Sequence, residues 1–336
     1  MIDFSLSEDL LEIQARARIF AQEEIQPIAA EYDRKDEVPP GIAAKAKAAG
    51  LLNVTIPKEY GGMSYGALQS AIIAEELGAA CAGISITVLV NGLALTPILL
   101  HGTEEQKDKF LRPVAEEAKL AAFCLTEREA GSDASSLKTT ALADGDDFVI
   151  NGQKCFITSG GISEIMTVFA LTDPERGPRG VSAIVVPADT PGIRVTKVED
   201  KMGQRASNTV ELTFEDVRVP QANLLGKRGR GFPIALETLD FGRSGVAALS
   251  VGLGRAALEQ AIARAKERQQ FGAPIITNQG VSFMLADMAT QVEAARLLTW
   301  QAAWLADQGQ RVTDKSAMAK CYASDMAMKV TTNAVQ

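Results

Sequence analysis

The chain has 336 residues, enough for two or three domains at roughly 100–200 residues each. It carries 34 Lys and Arg against 42 Asp and Glu, a net charge of −8, which argues against a general nucleic-acid binder. A hydrophobic content of 46% excludes a largely disordered chain, and 5% aromatics make the core mainly aliphatic. Four cysteines (Cys81, Cys124, Cys155, Cys321) without a CxxC pair, and a single histidine, His101, form neither a disulfide scaffold nor a zinc site. Free, buried thiols in a reducing compartment are expected.

The N-terminal stretch MIDFSLSEDLLEIQ lacks a basic segment followed by an apolar one, so no secretory signal is expected. Cytoplasmic or mitochondrial-matrix localisation fits. Leu6, Leu10, Ile13, Ala17 and Phe20 recur at helical spacing, with Ser7 placed as a cap before Glu8 and Asp9. Ile56-Pro-Lys-Glu-Tyr-Gly-Gly62 is loop chemistry. Leu77 to Leu100 holds no charge and meets the length of a membrane span. Ser85, Thr87, Asn91, Gly92, Thr96 and Pro97 instead favour a buried helix or helix pair, with no membrane partner. Thr103-Glu-Glu-Gln106 is a capping box that opens a helix through Phe110 and Leu111. His101, after an apolar run and before that helix, reads as structural rather than as a base.

From about residue 120 the period changes. Asp144-Gly145 is a turn signal, and Phe148-Val-Ile150 followed by Asn151-Gly152 predicts a hairpin. Val181–Val186, Ile193–Val195 and Val210–Phe214 read as strands. Short strands between Gly-rich turns suggest an antiparallel barrel or sandwich. Helical period returns at Gly231. A long helix ends near Phe271, a second spans roughly 280–307, and a third starts near Asp314 and reaches Gln336 without a stop signal. Gly252-x-Gly254-x-x-Ala257 matches a dinucleotide fingerprint in letters but sits inside a helix, where small residues serve close packing. The fold class is therefore α+β and multidomain: an N-terminal helical domain (1–119), a central β domain (120–226) and an incomplete C-terminal helical bundle (227–336).

Two segments of the β region carry chemistry. Phe123-Cys-Leu-Thr-Glu-Arg-Glu-Ala-Gly-Ser-Asp133 runs from a strand into a tight polar turn whose amides and hydroxyls suit a phosphate or a flat heteroaromatic ring. Lys154-Cys-Phe-Ile-Thr-Ser-Gly-Gly161 sets Phe156 and Thr158 on one face of a strand, a ring to stack and a hydroxyl to bond. Taken alone, an ordinary polar loop and a half-buried strand are the simpler readings.

Together with Pro57-Lys-Glu-Tyr-Gly-Gly62, Gly102–Gln106, Leu125-Thr-Glu127, Ala130-Gly-Ser-Asp133, Asn151-Gly-Gln-Lys154, Phe156-Ile-Thr158, Lys201-Met-Gly203, Asp240 with Arg243, Glu267-Arg268, Gln270-Phe-Gly272 and Ala334-Val-Gln336, these segments resemble the acyl-CoA dehydrogenase family of flavoproteins over essentially the whole chain. The resemblance implies FAD held between the β domain and the helical bundle. Phe123, Leu125, Thr126, Gly131 and Ser132 would line the flavin site. Phe156 would stack on the ring, and Thr158 would bond near its N5 edge. Arg268, Gln270 and Phe271 would reach the FAD of a neighbouring subunit, and Gln336 the adenine end. Ser132, Asp240 and Arg243 would lie along the acyl-CoA channel. The implied activity is α,β-dehydrogenation of an acyl-CoA thioester to the trans-2-enoyl-CoA, as in fatty-acid β-oxidation. Electrons pass to an electron-transfer flavoprotein, and the assembly is a homotetramer, a dimer of dimers.

Departures accompany the likeness. One family position for the catalytic Glu holds Gly242 here, and the other would follow Gln336. No catalytic base is therefore assigned within the chain; Asp240 and Glu237 are poor substitutes. The base is expected beyond residue 336. If the protein ends at Gln336, the alternative is a non-catalytic relative that binds flavin or acyl-CoA. Arg128-Glu129 replaces a usual Pro at its first position and reads as a solvated face.

Overall fold

A computed structural model describes residues 5–336. Met1 to Phe4, the start of the stretch read for targeting signals, lie outside the described residues. The helices are α1 (Glu8–Phe20), followed by a π-helical segment Ala21–Ile25, α2 (Gln26–Lys35), α3 (Ile42–Ala48), α4 (Ala67–Ala80), α5 (Ala82–His101), α6 (Glu104–Glu116), α7 (Gly231–Glu267), α8 (Gln279–Asp307) and α9 (Thr313–Val335). The strands are β1 (Ala121–Cys124), β2 (Thr140–Asp144), β3 (Asp147–Thr158), β4 (Ile165–Leu171), β5 (Val181–Pro187), β6 (Ile193–Val198), β7 (Thr209–Pro220), β8 (Leu224–Leu225), β9 (Gln269–Gln270) and β10 (Ala273–Pro274). The chain divides into two units. One takes the chain through Ala29, with Gly66–Ser85 and Asp240–Gln336; the other takes Ala30–Tyr65 and Ile86–Leu239.

The second unit is built on one sheet in the order β6-β7-β3-β2-β4-β5-β8, with β1 alongside β4. It lies between helical blocks of the sequence, as the change of period indicates. It is open, ending at β6 and β8, rather than closed into a barrel, and it is mixed rather than purely antiparallel, because β1 and β2 both run parallel to β4. β4 and β5 are buried on both faces, which is why they read as continuous apolar runs. Phe169, Val181, Ala183 and Val185 face one cluster with Leu95 and Ile98 of α5 and Phe110, Leu111 and Val114 of α6. Met166, Val168, Ile184 and Val186 face the other with Ile150, Val210, Leu212 and Phe214.

Local signals explain these elements unevenly. Thr103 Oγ1 accepts from the Gln106 amide at 3.2 Å while Gln106 Oε1 accepts from the Thr103 amide at 2.9 Å, so the capping box is formed. Ser7 precedes α1 but makes no side-chain cap bond. Asp144-Gly145 is the β2–β3 turn, with Gly145 at φ +62°. Asn151-Gly152 is not a hairpin: β3 runs through it and pairs with β7 on both sides, with a register shift between Ile150 and Gly152. Asn151 is occupied across the sheet, donating Nδ2 to Asp216 Oδ1 at 3.0 Å and accepting the Asp216 amide at 2.9 Å.

The uncharged stretch 77–100 is divided, since Cys81 is extended between α4 and α5. α5 and α7 are each long and apolar enough to cross a membrane by length and composition. In α5, however, Asn91 is fully buried in polar contacts. It donates to Asn53 Oδ1 (3.0 Å) and the Lys119 carbonyl (2.8 Å), and accepts the Ala121 amide (2.8 Å).

In the first unit, Ala247, Val251, Met288, Val292, Ala295, Ala323, Met326 and Val330 form a core shared by α7, α8 and α9. Beside it lie the adjacent carboxylates of Glu75 and Glu76, both buried. Arg18 binds Glu76 at 2.9 Å, Arg255 spans both, and Arg296 binds Glu75 at 2.9 Å. The glycines of the false fingerprint are contact points. A Cβ on Gly252 would stand 2.2 Å from the Glu75 carbonyl oxygen, and one on Gly254 would stand 2.7 Å from Met326 Sδ. α7 stops at Glu267, short of the expected Phe271.

Candidate functional site

β1 ends at Cys124 and delivers the chain into a tight turn. The Glu127 and Ala130 backbones exchange hydrogen bonds at 3.2 and 3.1 Å, which puts Arg128 and Glu129 at the tip. Both tip side chains are exposed, and Arg128 contacts Glu211 at 3.3 Å, in line with the solvated-face reading. Gly131 and Ser132 follow, exposed, and no atom lies within 4 Å of a Cβ built on Gly131. Asp133 then accepts from the Ser135 and Ser136 hydroxyls, which holds its carboxyl below the usual range.

The predicted lining residues play different parts. The Phe123 ring packs on Phe169, centroids 4.8 Å apart, so it is a core contact. Leu125 is buried, and its carbonyl is engaged by Lys154. Thr126 meets the second segment directly, since its carbonyl accepts the Cys155 amide at 3.0 Å. Phe156 is 64% exposed with φ +57°, unusual for an aromatic residue, and Thr158 is half-buried. Ile157 between them is buried, as are Lys154 and Cys155 before them. The hydroxyls of Thr126, Ser132 and Thr158 and the amides of Gly131 and Ser132 have no hydrogen-bond partner among the described residues. An exposed ring beside unsatisfied short donors suits a planar heteroaromatic ligand.

The residue that sequence reasoning missed is Lys154. It is wholly buried, donating to the Leu125 carbonyl at 3.0 Å and to Glu127 Oε1 at 2.8 Å. Burial pushes its ammonium below the ordinary lysine range, opposed by Glu127. Burial would raise the Glu127 carboxyl, but the Lys154 charge and the hydrogen bonds it accepts hold it lower. Burial also pushes the Cys124 thiol up to about 12. A lysine flanked by Gln153 and Cys155 carries no local mark of burial.

The remaining predicted residues belong to the first unit. Asp240 pairs with Arg243 on α7 and accepts from Thr313 Oγ1 at 2.7 Å. Arg268, Gln270 and Phe271 lie on the β9–β10 hairpin, whose turn residues Phe271 and Gly272 both have positive φ. The Phe271 side chain is fully exposed. Gln336 is exposed just after α9. His101, in the second unit, ends α5 with Nε2 2.8 Å from Glu237 Oε2, which occupies that carboxylate. Of the cysteines, Cys124 and Cys155 are buried, Cys81 is half-buried and Cys321 is exposed, which corrects the expectation of four buried thiols. No cluster of three His, Cys, Asp or Glu able to hold a metal occurs among the described residues.

Residues 7–118 match the model for the acyl-CoA dehydrogenase N-terminal domain, 122–217 the middle domain and 229–336 the C-terminal domain. The chain is 44% identical over 337 residues to acryloyl-CoA reductase (NADH) of Anaerotignum propionicum, covering all of this chain and 86% of that protein. It is 42% identical to the short-chain specific acyl-CoA dehydrogenase of Clostridium acetobutylicum, covering all of this chain and 89% of that protein. Among solved structures, butyryl-CoA dehydrogenase from Megasphaera elsdenii superposes with TM-score 0.97 at 42% identity, covering all of this chain and 89% of that one. A chain in the structure described as electron transferring flavoprotein of Acidaminococcus fermentans gives TM-score 0.97 at 47% identity, covering 100% and 88%.

Proposed function

The chain belongs to the acyl-CoA dehydrogenase family of FAD-dependent oxidoreductases, and from that premise we propose that it oxidises a short acyl-CoA thioester to the trans-2-enoyl-CoA. The observation that carries this reading is the bulged, exposed Phe156 beside the Thr126 loop. The donor set fits FAD: a ring face, three free hydroxyls, two free amides and no steric filling at Gly131. FAD supplies the hydride-accepting chemistry when bound. Phe156 offers its face to the flavin ring; Thr126 and Thr158 offer hydroxyls to the ring edge; Gly131 and Ser132 offer amides. Arg268, Gln270, Phe271 and Gln336 are proposed as further FAD contacts. Arg268 suits a phosphate, because a guanidinium presents planar paired donors.

Ser132, Asp240 and Arg243 are proposed as thioester contacts. Asp240 already holds Arg243 and Thr313, which makes it a binding group rather than a base. We assign the α-proton to none of the candidates named above: Gly242 has no side chain, Asp240 is held by Arg243 and Thr313, and Glu237 is held by His101. The proposed electron acceptor is an electron-transfer flavoprotein, supported by the likeness to the Acidaminococcus chain, and the proposed assembly is a homotetramer. The likeness to acryloyl-CoA reductase (NADH) favours a second reading, in which the same site works in the reducing direction.

The test is the visible spectrum of the FAD-loaded chain under anaerobic addition of butyryl-CoA and octanoyl-CoA. A shifted flavin band supports the binding assignments. Bleaching within seconds supports the oxidation and places a base within these residues. A flavin band that neither acyl-CoA perturbs refutes the substrate class.

A further inference from the structure

β3 slips against β7 at two places, between Ile150 and Gly152 and again between Lys154 and Ile157, and the second lies at the site. There the pairing holds at Lys154↔Leu212 and resumes at Ile157↔Val210, so two residues, Cys155 and Phe156, stand opposite one. This is a β-bulge, a device that re-aims a side chain. The Cys155 amide turns to the Thr126 carbonyl, and Phe156 takes positive φ with its ring exposed.

Directly before the bulge, Lys154 sends its buried ammonium to the Leu125 carbonyl and to Glu127. The Glu127 carboxylate in turn accepts the amides of Lys138 (2.6 Å) and Thr139 (3.0 Å). Thr139 Oγ1 returns to the Gln153 carbonyl at 3.4 Å. Three segments, 125–127, 138–139 and 153–155, thus close on one ion pair. A buried ion pair is a poor source of net stability, because an apolar pair of equal volume often does as well. An apolar pair, however, cannot direct one donor and two acceptors at fixed backbone groups, as Lys154 does at the Leu125 carbonyl and Glu127 at the Lys138 and Thr139 amides.

We propose that Lys154 and Glu127 are positioning residues that lock the Cys155–Phe156 bulge to the Leu125–Glu127 loop, so that Phe156 and Thr126 meet the flavin in one fixed arrangement. The proposal rests on the FAD reading above. Neither residue touches the cofactor in this role; each acts through backbone it holds.

The experiment compares the chain with Lys154→Met, Glu127→Gln and the double variant. Readouts are thermal unfolding without FAD, the FAD dissociation constant, and the visible circular dichroism of bound flavin. Each single variant should unfold earlier, because one buried charge is left alone. The double variant should regain most of that loss, yet bind FAD at least tenfold more weakly with an altered flavin dichroism. A double variant with unchanged affinity and dichroism overturns the proposal and leaves the pair purely structural. If the double variant fails to fold, Glu127→Gln decides: at least threefold weaker binding with altered dichroism supports the proposal, and wild-type values overturn it. A wild-type chain that binds no FAD overturns the cofactor reading itself, and this proposal with it.

Discussion

Three glycines on α7 predict three different outcomes for the same substitution. A Cβ on Gly252 would sit 2.2 Å from the Glu75 carbonyl oxygen and 2.8 Å from the Ala79 amide nitrogen, both α4 backbone. Real Cβ atoms keep at least 3.0 Å, so α4 and α7 would have to part by about 0.8 Å or more. Arg255 lies one turn along α7 and reaches Glu75 and Glu76 on α4, so the same displacement loosens buried ion pairs. Alanine gains about 1 kcal/mol of helix propensity over glycine. Overpacking costs about 1–3 kcal/mol, and disturbing a buried pair adds to that. Gly252→Ala should therefore lose about 1–3 kcal/mol net, a fall in Tm of about 3–10 °C. At Gly245 nothing lies within 4 Å, so Gly245→Ala should keep the propensity gain and raise Tm by about 1–3 °C. At Gly254 the obstacle is the Met326 sulfur, a flexible tip, and the change should fall between the two. Thermal unfolding followed at 222 nm reads all three. Equal shifts for Gly252→Ala and Gly245→Ala would refute the claim that Gly252 exists for close helix contact.

Other perturbations separate the site from its scaffold. Phe156→Gly should leave stability within about 0.5 kcal/mol, because the ring is exposed and glycine accepts positive φ, while FAD binding weakens about tenfold by titration. Glu127 has a folded-state pKa below its unfolded value, so its contribution is complete above about pH 4.5 and is lost as pH falls through the folded value. The stability gap between the wild type and Glu127→Gln, from urea unfolding at several pH values, should shrink steadily below about pH 4; a pH-independent gap would contradict the coupling. Asn91→Ala strips the Ala121 amide of its acceptor and the Lys119 carbonyl of a donor, and should cost at least about 2 kcal/mol in the same assay.

How far the sequence carried depends on the range of the forces involved. The α, β, α order was readable because periodicity repeats over many residues, as from Leu6 to Phe20 and from Val246 to Leu258. Thr103–Gln106 and Asp144-Gly145 were readable because each closes its own hydrogen bonds within a few residues. Asn151-Gly152 misled for the opposite reason. The turn it favours locally competes with a ladder to β7, and Asn151 takes its partner 65 residues away. The mixed sheet was hidden too, since β1 and β2 join β4 across intervening chain and no local residue marks a parallel register.

The same distinction runs through the site. Thr126, Ser132, Phe156 and Thr158 stood out by residue type, and the resemblance attached roles to them. Their arrangement depends on something neither residue type nor local spacing displays: a lysine that is held fully inside by a carboxylate 27 residues earlier. Burial of a charge is decided by the partner, not by the flanking residues. The buried arginine–glutamate group around Glu75 and Glu76 shows the same physics in the other unit, joining residues 58, 179 and 221 positions apart. The buried charged groups of this protein are thus assembled from distant segments, while the groups offered to ligand sit on short loops and a bulge. Short-range chemistry makes the second set legible, and only the folded chain reveals the first.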